Sequence, residues 1–168
     1  QPRGTGVYSY LPPTIVEKFQ KKEKIKTLYV VEGEFKAITA TYKPGVDIIA
    51  LGGINNYRNK DINTLEPYLL QLIEVCKPDN IVLLFDADCL AVKYGEKTDL
   101  AERLTQFYNA ICGFRELLKP YEIDVYFSHI QLKYAIVAKG LDDLINYESV
   151  QPDNIRKELE NLATGVGE

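Results

Sequence analysis

Ile81-Val82-Leu83-Leu84-Phe85 is apolar at every position and runs straight into Asp86-Ala87-Asp88. A strand without a polar face must be covered on both sides, which is the situation of a central strand in a parallel sheet. Working back along the chain, Thr27-Leu28-Tyr29-Val30-Val31 is a second such run, stopping at Glu32-Gly33, and Asp47-Ile48-Ile49-Ala50-Leu51 a third, breaking at Gly52-Gly53. Working forward, Ile123-Asp124-Val125-Tyr126-Phe127 follows Pro120 as a fourth.

Helical stretches separate these runs. Phe35, Ile38 and Thr39 give the first an apolar stripe, and Pro44-Gly45 ends it. From about Asp61 to Lys77, Leu65, Leu69, Leu72, Ile73 and Cys76 recur at helical spacing, with Pro78-Asp79 closing the stretch. A longer helix is predicted from Thr98 to Leu118. The order β-α-β-α-β-α-β predicts an α/β fold: about four mostly parallel strands joined by right-handed crossovers, with helices on both faces.

Such a sheet carries its chemistry at the carboxyl ends of its strands. Glu32, Asp86 and Asp88, with Gly33, Gly52 and Gly53, are all expected at that edge. If the chain stays extended through Asp86-Ala87-Asp88, both aspartates point to one side and can share a cation while Ala87 faces away. Two carboxylates so close repel unless a cation lies between them or one is protonated. A hard ion such as Mg²⁺, retaining waters and a substrate phosphate, suits them. The plainer alternative is a solvated strand-to-loop turn, where Asp is common. Glu32 precedes a turn into a helix, beside the positive end of its dipole, and is placed to exchange a proton, bind metal or simply cap the helix.

Composition limits the remaining choices. The chain has 168 residues, 46% of them hydrophobic and 11% aromatic, enough for the core of one domain. No apolar run approaches the roughly 18 residues of a membrane span, and no basic-then-apolar leader opens the chain, so a soluble, cytoplasmic protein without membrane association is expected. Cys76, Cys89 and Cys112 are odd in number and lack C-x-x-C spacing, which argues for reduced, mostly buried thiols. The chain begins at Gln1 and has no methionine, so a fragment of a larger protein is expected. A net charge of −4 argues against a domain that grips nucleic acid chiefly by its own field.

Val31-Glu32-Gly33-Glu34-Phe35-Lys36-Ala37 together with Leu84-Phe85-Asp86-Ala87-Asp88 resembles the two signature motifs of the Toprim family, the magnesium-dependent fold of primases, topoisomerases and some nucleases. Lys139-Gly140-Leu141-Asp142-Asp143-Leu144 is similar to the acidic turn after the last strand of primase Toprim domains. The set looks most like the Toprim-like domains fused to primase and helicase modules in phages, plasmids and mobile elements. The resemblance covers about 26–147, with a lead-in at 1–25 and an amphipathic tail at 151–163 containing Ile155, Leu159 and Leu162.

The resemblance implies a single Toprim/Rossmann-like domain of a DNA primase-like replication protein, a nucleotidyltransferase acting through Mg²⁺, with Mn²⁺ able to substitute. Glu32 would be general acid or base, Asp86 and Asp88 would bind the metal, and Asp142 with Asp143 would extend that site. Gly33, Gly52, Gly53 and Lys139 would approach substrate phosphate. DNA with nucleotides, and helicase or zinc-binding modules of the parent protein, would be the partners. Where the main bacterial primases carry an aspartate four residues after the motif glutamate, this chain has Lys36, which contacts a phosphate or pairs with a carboxylate instead. Nuclease or topoisomerase chemistry, and a non-catalytic docking module, remain as alternatives. A haloacid-dehalogenase-like phosphatase fits less well: that family wants Thr or Val where Leu90 stands, and its D-x-D on the first strand.

Other features carry less. Gly95-Glu96-Lys97-Thr98 lacks the order and upstream glycine of a P-loop. Lysines 18, 21, 22, 24 and 26 are interrupted by Glu17 and Glu23, as on a solvated helix face. His129, the one histidine, has nothing near it in sequence to complete a triad.

Overall fold

Residues alternate along the two middle strands as a two-sided sheet demands. On β1 (Thr27–Glu32), Leu28 and Val30 enter one core and Tyr29 and Val31 the other; on β5 (Asn80–Phe85), Ile81, Leu83 and Phe85 oppose Val82 and Leu84. In the computed structural model, residues 8–59, 63–87, 89, 100–130 and 138–147 are described, 100–104 by backbone alone. β2 (Ile48–Leu51) and β6 (Asp124–His129) flank this pair, giving a four-stranded sheet of order β2-β1-β5-β6, parallel throughout. The fold is α/β and Rossmann-like, as the alternation of runs predicts.

Helices cover both faces. α1 (Pro13–Lys21), α3 (Pro67–Cys76) and α4 (Leu100–Leu118) pack on one, through Ile15, Leu69, Leu72, Phe114 and Leu118. α2 (Glu34–Tyr42) and α5 (Leu141–Asn146) pack on the other, through Ala37, Ala40, Leu141 and Leu144. Burial of each large side chain contributes about 1.5–3 kcal/mol, so these two layers hold the sheet between them.

Two expectations change. The helix expected from about Asp61 begins at Pro67, after a short antiparallel pair, β3 (Arg58–Asn59) and β4 (Thr64–Leu65). Pro67 lacks the N–H that a helix interior requires and suits its first turn. Buried Glu66 then caps the helix, accepting from the N–H groups of Tyr68 at 3.1 Å and Leu69 at 3.0 Å. The stripe of α2 also faces differently: Ala37, Ala40 and Thr41 form its buried side, Ile38 and Thr39 are half-buried, and Phe35 is 78% exposed. Lysines of the basic run are interleaved with acidic partners. Lys18 pairs with Asp47 at 2.9 Å, Lys21 with Glu17 at 2.7 Å and Lys24 with Asp79 at 2.6 Å.

The chain before α1 closes one sheet edge, where Tyr10 exchanges both backbone hydrogen bonds with Ala50 of β2. Cys76 and Cys89 are buried and Cys112 half-buried, all as thiols. Among the described residues no helix is long and apolar enough to cross a membrane. Gly95–Thr98 and the tail at 151–163 lie outside the described residues.

Candidate active site

The connection after β1 crosses to β2 on one side, and the chain then returns to place β5 on the other side of β1. Where strand order reverses in this way, the loops at the carboxyl ends diverge and leave a crevice. Glu32 is the last residue of β1, and Asp86 directly follows β5, so the two acidic groups border the crevice from adjacent strands.

Gly33 makes the tight exit from β1. Its φ of +100° is a backbone state that L side chains rarely adopt, and its N–H returns to the Leu51 carbonyl at 3.2 Å. α2 can therefore start at once, which brings Lys36 back over the strand ends. Lys36 Nζ lies 2.6 Å from Asp86 Oδ1 and 2.8 Å from Oδ2. Both side chains are largely shielded, 18% and 28% exposed. Of the two roles expected for Lys36, carboxylate pairing is the one observed, and the partner is Asp86 rather than Glu32.

The turn after β5 is held from two directions. Cys89 N–H donates to the Asp86 carbonyl at 3.1 Å, and Ala87 N–H donates to the Lys139 carbonyl at 2.9 Å. The chain thus begins to turn directly after β5. Asp88 lies outside the described residues.

Lys139 and Gly140 lead into α5. Side chains crowd Gly140: a Cβ there would sit 2.7 Å from Asp142 Oδ1, 2.8 Å from Lys36 Cε and 3.4 Å from Asp86 Oδ1. One backbone point is therefore approached by two carboxylates and the lysine stem. Asp143 accepts the Gly140 N–H at 3.2 Å through Oδ2, as a helix-capping group.

A pocket of about 310 Å³ opens at this edge, lined by Glu32, Lys36, Phe85, Asp86, Cys89, Phe107 and Lys139. It unites four of the residues singled out from sequence: Glu32, Lys36, Asp86 and Lys139. Gly52 and Gly53 follow β2, on the far side of β1 from Asp86, and do not line it. Phe85, Cys89 and Phe107 were not anticipated. Phe107 meets Phe85 edge-on at 5.4 Å, and helical spacing in α4 does not reveal which residue reaches the strand ends. His129, at the end of β6, places Nδ1 2.9 Å from the Ile130 carbonyl, a structural contact.

The donors suit a cation shared with substrate better than one caged by protein. Mg²⁺ takes only one or two protein carboxylates and fills its octahedron with water and phosphate oxygen. Asp86, with Asp142 near it and Glu32 on the same pocket wall, can supply that number. Among the described residues no cluster of three or more potential ligands occurs.

Residues 17–151 match the family described as a domain of unknown function, DUF3854, and the chain belongs to that family. No curated protein and no solved structure matches the chain significantly.

Proposed function

Proceeding from membership in the DUF3854 family, we propose that this domain is Toprim-like and carries out Mg²⁺-dependent phosphoryl or nucleotidyl transfer on nucleic acid, as part of a primase-like replication protein of phage or mobile-element type. The carrying observation is the meeting of Glu32, Lys36 and Asp86 in one pocket at the strand-order reversal. Asp86, with Asp88 and Asp142, would hold the metal, which when bound would neutralise phosphate charge and polarise the P–O bond. Lys36 would bind a non-bridging phosphate oxygen on leaving Asp86, a point charge suited to that exchange. Glu32, exposed at the end of β1, would take a proton from an attacking 3′-hydroxyl or return one to a leaving oxygen. DNA, nucleotides and neighbouring helicase or zinc-binding modules are the partners this reading requires, in the cytoplasm.

The test is a Mn²⁺ titration followed by electron paramagnetic resonance, comparing the chain with Asp86→Asn/Asp88→Asn. Saturable binding lost in the variant supports a metal site at these aspartates. Equal binding by both would remove the basis of the proposal.

The bidentate Lys36–Asp86 pair favours a second reading, in which the aspartate is neutralised for good and the domain docks other modules without catalysis. Under that reading neither protein binds Mn²⁺ in the millimolar range, and Lys36→Met affects stability alone.

A further inference from the structure

Among the described residues Phe35 is the most exposed large hydrophobic, at 78%, although it stands one residue before Lys36 on the first turn of α2. Among the described residues it enters neither core cluster and makes no ring contact. The contrast with Phe107 is informative. That ring is half-buried and packed edge-on against Phe85, so it closes the pocket wall, whereas Phe35 stays exposed on the helical turn that carries Lys36.

We propose that Phe35 is a stacking platform for a nucleobase of single-stranded nucleic acid whose phosphate is engaged at Lys36. This rests on the phosphoryl-transfer reading and adds to it how the strand is held. Consecutive α-carbons are about 3.8 Å apart, and a base lies within about one nucleotide length of its own phosphate. Side chains at consecutive helical positions leave α2 about 100° apart, so a strand whose phosphate is at Lys36 passes around the first turn of the helix to lay a neighbouring base on the ring. Stacking also supplies affinity where charge does not: the chain is net −4, and Lys18, Lys21 and Lys24 are paired with carboxylates. Every base has a π-face, so a platform of this kind tolerates any sequence.

The chain contains no tryptophan, so Phe35→Trp makes a single-site reporter. The experiment measures binding of a fluorescein-labelled single-stranded oligodeoxynucleotide by anisotropy, with Mn²⁺ present, for the full chain, Phe35→Ala and Phe35→Trp. Indole emission of the Phe35→Trp variant is followed with a normal and an abasic oligonucleotide. Stacking predicts at least about 5-fold weaker binding for Phe35→Ala, near-normal binding for Phe35→Trp, and quenching by the normal strand alone. Unchanged binding by Phe35→Ala with no quenching overturns the platform and leaves the outer side of α2 to a protein partner. In that case, Mn²⁺ binding that depends on Asp86 and Asp88 shows that the transfer reading survives. Absence of both metal and oligonucleotide binding by the unaltered chain overturns the two together.

Discussion

Lys36 and Asp86, fifty positions apart, form a bidentate ion pair that joins the first turn of α2 to the end of β5. The pair is mostly shielded from water, so removing one member leaves the other poorly compensated. Lys36→Met should lower stability by about 1 kcal/mol, a fall of roughly 2–4 °C in Tm for a chain of this length. It should also tighten Mn²⁺ binding several-fold, because the ammonium group competes with metal for the same two oxygens. Calorimetry and metal titration on one preparation check both signs. Weaker Mn²⁺ binding would show that Lys36 supports the metal rather than excluding it.

Gly140→Ala tests the crowding around that pair. The backbone at Gly140 is extended, so alanine causes no φ strain, and its methyl group would meet Asp142 Oδ1 and Lys36 Cε. Both are ends of side chains that can swing away. Loss of stability should stay below about 1 kcal/mol, while the coupling between Lys36 and Asp86 in a double-mutant cycle should shrink markedly. Unaltered coupling would mean that the lysine stem accommodates the methyl group without leaving Asp86.

How much of this was legible depended on the range of the interaction. The central runs at Thr27–Val31 and Ile81–Phe85 are apolar on both faces and could belong only to covered strands, so the sheet and its functional edge follow from the sequence. The inward side of α2 did not follow. It is made of Ala37, Ala40 and Thr41, small residues that allow close packing but register weakly as hydrophobic, and Phe35 drew attention to the wrong side. Proline marked the true start of α3, yet Leu65 fitted the helical period by coincidence while lying in β4. Glu32 and Asp86 were found because strand ends converge in any parallel sheet. The Lys36–Asp86 bond was not, since spacing along a chain says nothing about which carboxylate a lysine meets fifty residues away. Nor could sequence find the cap that Asp143 makes, because it depends on α5 beginning at Leu141.

Three groups shielded in part from water, Cys76, Tyr57 and Lys18, tie stability to alkaline pH. Burial raises the Cys76 thiol above its ordinary value, with Asp47 adding to the effect, and burial likewise raises the Tyr57 hydroxyl. For Lys18, burial opposes the charge, but Asp47 and Glu23 outweigh it and the net shift is upward. A raised pKa means that the folded chain holds its proton more tightly than the unfolded chain does. The associated stability is complete below the unfolded values and is lost as pH rises through the folded ones. The urea midpoint should therefore be lower at about pH 10 than at about pH 8, and Cys76→Ala should flatten part of that slope. A midpoint that rises over this interval would contradict all three assignments.

Glu66 is 3% exposed and serves three donors at once: Ser9 Oγ at 2.6 Å and the N–H groups of Tyr68 and Leu69. It therefore fastens the segment before α1 to the start of α3, where Tyr8 also rests on Tyr68 with ring centroids 5.1 Å apart. Glu66→Ala removes the cap and strands a buried N–H, at a cost of about 2–3 kcal/mol, or roughly 5–10 °C in Tm. Glu66→Gln keeps one acceptor oxygen and should recover at least half of that loss. Ser9→Ala removes only the longest-range of the three bonds and should cost about 1 kcal/mol, while speeding hydrogen exchange at Tyr10, whose N–H pairs with Ala50 at the sheet edge. Thermal melts of the three variants, with amide exchange at Tyr10, separate the two roles. Equal losses in Ser9→Ala and Glu66→Ala would mean that the tether to the N-terminal segment, and not the helix cap, is what Glu66 contributes.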